Sequence, residues 1–128
     1  IANLTPFRGP GADPGTAFEV GYMTALGKPA FGYTNTPGST RARIQRGGAA
    51  ARGADGIWRD ADGIQVEDFG LAENLMLAIP VAIRRPRNPR PLGDLKGFEE
   101  CVRHAAARLA ISPRGGAAPT SRPPAGRR

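Results

Sequence analysis

The chain has 128 residues, 40% hydrophobic and 6% aromatic, which supports one modest core and excludes two. A single cysteine, Cys101, excludes an internal disulfide framework and a multi-cysteine zinc site. The net charge of +7 invites a nucleic-acid partner, but "RRPRNPR" (84–90) and the acid-free stretch 112–128 hold four arginines each, and elsewhere the charges nearly balance. No aromatic residues interleave with these arginines to stack bases, so both segments are read as solvated and flexible, and nucleic acid as an unlikely partner.

No apolar run reaches the roughly 18 residues of a membrane helix. "IANL" lacks polar alternation and reads as a short buried strand within residues 1–5. No basic region precedes it, so it is not a secretory signal, and the chain is expected to begin inside a domain. "TPFRGPGA" is a loop, with two prolines and two glycines in eight residues. Asp13 suits a helix N-cap, whose carboxylate accepts from free N–H groups of the first turn. Pro14 suits the first helical position and Gly27 the residue after the end. A helix over 14–26 follows, with Phe18, Tyr22 and Ala25 or Leu26 expected on the core side. A strand near 29–34 completes a βαβ unit and implies a parallel sheet.

Residues 35–56 are rich in Gly, Ala and Arg and read as an exposed loop with a helical turn near 40–46. The stretch from Asp55 onward is irregular, then apolar, giving a helix over 71–79 and a strand over 80–84 broken at Pro80. After the arginine linker, 94–110 reads as a helix whose stripe is Leu95, Phe98, Val102, Ala105 or Ala106, and Leu109. Residues 112–128 cannot bury enough apolar area to order themselves. The expected organisation is one domain over 1–111 and a disordered basic tail over 112–128.

Several apparent motifs dissolve on inspection. "GPGADPG" is one residue too long for the dinucleotide fingerprint and has proline at its first variable position. "DADG" (60–63) would place Trp58 and Phe69 at the first and last positions of a calcium loop, so it is a turn. His104 is the only histidine; it lies off the apolar stripe and reads as a surface residue. Cys101 reads as an inert buried thiol in a reducing compartment. No metal site is expected.

The remaining candidate is Glu19, in "TAFEVGY". It has no Lys four residues on, and Tyr22 lies one turn away. It is either a solvated helix residue or a carboxylate lining a cleft behind an open loop.

"ANLTPFRGPGADPGTAFEVGYMTALGKPAFGY", followed by "VEDFGLAENLML", resembles the nucleoside 2-deoxyribosyltransferase family over about residues 1–35 and 60–110. Two separated motifs occur in the family's order. The resemblance implies an α/β, flavodoxin-like three-layer sandwich with a parallel sheet, here lacking its first strand and helix. It implies a cytoplasmic enzyme that moves 2-deoxyribose between nucleobases without cofactor or metal. Deoxynucleosides and nucleobases are then its substrates, in a homo-oligomer with shared active sites. Glu19 matches the nucleophile of the family's D-x-x-x-x-x-E-x-G pattern. Asp13 matches the aspartate that orients the sugar. Asn74 matches the asparagine that binds the 5′-hydroxyl end in a neighbouring subunit's site, and Met76 lies beside it. The family's tyrosine that holds the nucleophile, and a further aspartate for the leaving base, have no counterpart here, so little activity is expected of this chain alone. One alternative is a 2-deoxynucleoside 5-monophosphate N-glycosidase, although Asp13 would repel a phosphate. The other is a non-catalytic basic nucleic-acid-binding module, marked by affinity that falls with salt.

Overall fold

The computed structural model describes residues 1–48 and 50–111; the expected basic tail, 112–128, lies outside them. Strands β1 (Ala2–Asn3), β2 (Phe31–Tyr33) and β5 (Ala82–Arg84) form a parallel sheet in the order β1-β2-β5. Ala2 stands opposite Gly32, and Phe31 opposite Ala82. The expected βαβ unit is present, with α1 (Pro14–Ala25) joining β1 to β2.

Side chains alternate across β2, and each face meets a different helix. Gly32 faces a small cluster of Leu4, Val20, Leu77 and Val81, supplied by the strand ends, α1 and α3 (Leu75–Ala78). Each of these side chains contributes about 1.5–3 kcal/mol by leaving water. Phe31 and Tyr33 face α4 (Lys96–Ile111), where they meet His104 and Phe98 edge-on, at centroid distances of 5.8 and 6.2 Å. The sheet therefore lies between α1 and α4.

The expected inward stripe of α1 is corrected. Phe18, Tyr22 and Leu26 are exposed, and Phe18 and Tyr22 stack on each other at 6.3 Å. Val20 is the buried residue, with Ala17 packed beside it. Two helical steps carry position 18 about 200° from position 20, so the two cannot share a face. Small side chains let the helix axis lie close to the sheet, and the aromatics point away.

The expected stripe of α4 is corrected in part, for Ala105 is buried as expected. Cys101 and Ala105 are buried, whereas Leu95, Val102 and Leu109 are exposed. Gly97 is also buried, because a Cβ there would stand 2.7 Å from the Tyr33 ring. His104 is not a free surface residue: it lies against Phe31, and Arg84 Nη2 is 2.7 Å from its Nδ1.

Several arginines of the linker contact the rest of the fold. Arg84 belongs to β5, Arg85 donates to the Gly70 carbonyl, and Arg90 pairs with Glu100 at 3.0 Å. Asn35, fully buried, donates its amide to the carbonyls of Pro91 and Asp94 and accepts the Arg90 N–H at its own carbonyl.

The turn expected near 40–46 is helix α2 (Thr40–Arg46), capped by Ser39. An antiparallel hairpin, β3 (Ala51–Arg52) with β4 (Trp58–Arg59), spans the end of the expected loop and the start of the region read as irregular. Arg41 attaches it to α2, lying over the Trp58 ring at 4.7 Å and pairing with Asp68 at 2.7 Å. The helix expected over 71–79 is the single turn α3, and the strand over 80–84 is β5.

Candidate functional site

Helix α1 is framed by local chemistry at both ends. Asp13 is its N-cap: Oδ2 accepts the Thr16 N–H at 2.9 Å and lies 3.4 Å from the Thr16 hydroxyl. Its other oxygen, Oδ1, takes no bond in that cap. At the far end Gly27 adopts φ +66°; its N–H reaches Thr24 O, and the Lys28 N–H reaches Met23 O. This paired C-terminal closure requires a left-handed residue, which glycine supplies.

Glu19 lies one turn beyond Thr16, on an exposed part of the helix. It lines a hollow of about 320 Å3 together with Asn3, Thr16, Met23 and Phe31. No salt bridge engages its carboxylate among the described residues. Asp13 borders a different hollow, of about 510 Å3, walled by the loop Phe7–Gly15. Thr16 connects the two, lining the first and binding Asp13.

Asn74 caps α3, its Oδ1 accepting the Leu77 N–H at 3.1 Å. Its side-chain NH2 is not used in that cap. Met76 is 81% exposed and lines none of the hollows described.

The loop before α1 and the segment before α3 meet at Arg43 and Glu73. Both are almost completely buried and form an ion pair at 2.7 Å. The backbone N–H groups of Ala12 and Asn74 favour the charged form of the Glu73 carboxylate. The Arg43 guanidinium donates twice to the Pro10 carbonyl, at 3.1 and 3.0 Å, and also to the Ala72 carbonyl. Burial pushes the Glu73 carboxyl up, while Arg43 and the two N–H donors act in the opposite direction. Burial likewise draws the Arg43 guanidinium down, opposed by Glu73. Neither residue was singled out from sequence: an Arg on a short polar helix and a Glu before an N-cap carry no local signal that they meet.

A wider hollow among the described residues, about 840 Å3, opens by Lys28–Phe31, Ala82 and the last turns of α4. Its charged lining is basic, including Lys28 and Arg108, and it holds none of the candidate residues. Among the described residues, no group of three His, Cys, Asp or Glu is placed to hold a metal. Nor is any helix among them long and apolar enough to cross a membrane.

Comparison with known proteins bears on this geometry. The family model described as nucleoside 2-deoxyribosyltransferase matches residues 1–76, which include Asp13, Glu19 and Asn74. An uncharacterized protein of Schizosaccharomyces pombe is 43% identical over 84 residues, covering 57% of this chain and 40% of that relative. The chain thus corresponds to well under half of that relative's length.

Proposed function

The chain belongs to the nucleoside 2-deoxyribosyltransferase family, and we propose that its site moves 2-deoxyribose between nucleobases through an ester on Glu19. The observation that carries this reading is the unpaired Glu19 carboxylate facing a hollow, at the family's spacing from a helix-capping aspartate. In the first step a Glu19 oxygen attacks the anomeric carbon. The bond to the base nitrogen breaks, its electron pair leaves with the base, and the base takes up a proton. In the second step a nitrogen of the incoming base attacks the same carbon, releases the carboxylate and gives up its proton to solvent, which balances the proton the first base took up. Two displacements give net retention. The missing 2-hydroxyl makes the oxocarbenium-like transition state easier to reach.

Asp13 and Asn74 each use one atom for a helix and retain another for the sugar. Asp13 Oδ1 is an acceptor for a sugar hydroxyl, and the Asn74 NH2 is a donor for the 5′ end. The exposed apolar Met76 on α3 and Ile79 just after it, with Phe18 and Tyr22 on α1 and Leu26 just after that helix, support self-association with shared sites. The parallel sheet between α1 and α4 supports a flavodoxin-like fold.

The test is incubation of the chain, extended at its N-terminus to supply the tyrosine and further aspartate that the resemblance implies, with a 2-deoxynucleoside and a second free base. The expected results are the exchanged nucleoside by chromatography and a mass increase of one deoxyribosyl group on Glu19. Glu19→Ala should abolish both. Exchange near wild-type rate in Glu19→Ala would remove Glu19 from the chemistry.

A further inference from the structure

The hollow of about 840 Å3 beside the last turns of α4 takes no part in the proposed transfer. Its walls divide by chemistry. Phe31, Pro80 and Leu109 give it an apolar side, and Leu109 is 53% exposed there. Lys28 and Arg108 are its charged residues, and no Asp or Glu lies among the described residues that line it. Lys28 starts from a fixed point: Gly27, at φ +66°, closes α1, and the Lys28 N–H donates to Met23 O at 3.0 Å. His104 is held from two sides, edge-on to Phe31 at 5.8 Å and with Arg84 Nη2 2.7 Å from its Nδ1. A guanidinium only donates, so Nδ1 accepts and the ring proton stands on Nε2, a further donor in the lining.

Helix ends alone do not account for the two cations. The C-terminal ends of α1 and α4 each carry about half a negative charge, so Lys28 and Arg108 leave an excess of about one positive charge. Arg84, bonded to His104, adds to that excess. We infer that this hollow binds a small organic anion with an apolar body. Lys28, Arg108 and the His104 Nε2–H take the anionic group, and Phe31, Pro80 and Leu109 take the body. The site is separate from the transfer chemistry, since neither Lys28 nor Arg108 lines the Glu19 hollow.

The test is calorimetric titration of the full chain with phenyl phosphate, which joins both features in one molecule. Inorganic phosphate and phenol serve as its two halves. Phenyl phosphate should bind about tenfold more tightly than either half, or better, because burying the ring adds to the ionic contacts. The double variant Lys28→Gln with Arg108→Gln should weaken phenyl phosphate about tenfold or more, the scale of losing hydrogen bonds between charged groups. Leu109→Ser should weaken phenyl phosphate and leave inorganic phosphate unchanged. Lys28, Arg108 and Leu109 are exposed, so these variants should keep the fold. The His104 ring resonances should shift as phenyl phosphate is added to the wild-type chain. A control, Arg87→Gln with Arg103→Gln, removes two exposed arginines outside the lining and should bind as wild type. Absence of phenyl phosphate binding would overturn the inference, and so would unmoved His104 resonances. Equal losses in the two double variants would reduce the effect to the chain's net charge and overturn it too. Inorganic phosphate bound as tightly as phenyl phosphate, or full phenyl phosphate binding in Leu109→Ser, would remove the apolar half. Tighter binding of a hexaglutamate peptide than of phenyl phosphate would assign the hollow to a protein partner and overturn the small-anion reading.

Discussion

Asp13 caps α1 and, in the proposed reaction, also binds the sugar; two substitutions separate the two roles. Asp13→Ala removes the acceptor for the Thr16 N–H at 2.9 Å. Losing such a cap costs about 0.5–2 kcal/mol, with about 1 kcal/mol typical. For a domain of roughly one hundred residues that lowers Tm by about 4–8 °C. Asp13→Asn keeps an oxygen at the same place and loses only the charge at the helix start. That change costs about 0.3–1 kcal/mol, since the carboxylate favours the positive helix end. Differential scanning calorimetry should therefore rank wild type, Asn and Ala in descending Tm. Base exchange should rank them differently. Both variants lose the anionic Oδ1, and a hydrogen bond to a charged group is worth about 1.5–3 kcal/mol. The kcat/KM should fall about 10- to 100-fold in both. Full exchange activity in Asp13→Asn would show that the carboxylate is only a cap. An unchanged Tm in Asp13→Ala would show that the capping bond adds nothing to stability.

Gly32→Ala should destabilise the fold by about 1–3 kcal/mol by overpacking, because its Cβ would stand 2.8 Å from Leu4 Cδ1 and 3.0 Å from Val81 Cγ1. An unchanged urea midpoint would contradict that close approach. Glu73 gives a pH signature. Its folded pKa is raised by burial, so the native state holds this proton more tightly than the unfolded chain does. The contribution is complete below the unfolded glutamate value of about 4.3 and is lost as pH rises through the folded value. The stability of wild type relative to Glu73→Gln should thus decline as pH rises from about 4; a difference that grows with pH would reverse the assignment.

What could be read from sequence was what local chemistry dictates. Asp13, Pro14 and Gly27 mark the ends of α1 because capping involves residues within one turn of each other. The parallel pairing of β1 with β2 followed from a strand, a helix and a second strand in succession. The expected inward face of α1, and the large apolar members of that of α4, differ from the structure because apolar size is a poor sign of burial here. Here the sheet is approached by Ala17, Val20, Gly97, Cys101 and Ala105, while the aromatics of α1 lie outside. The hairpin escaped notice because each strand has two residues and carries an arginine where alternation would want an apolar side chain. Arg43 and Glu73 escaped for a different reason. Their pairing joins residues far apart in the chain, and a single sequence carries no trace of such a meeting.

The all-parallel pairing of the central sheet also bears on the order in which the chain folds. Ala2 must find Gly32, and Phe31 must find Ala82; neither pair is joined by a tight turn. Closing such long loops costs entropy before any strand contact returns it, so the sheet forms late and slowly. Helix α1, closed at both ends by its own residues, forms on a local timescale. The hairpin of β3 and β4 is also local, yet it lies in a sheet of its own. The earliest β-structure in this chain therefore supplies no template for the sheet that carries the site.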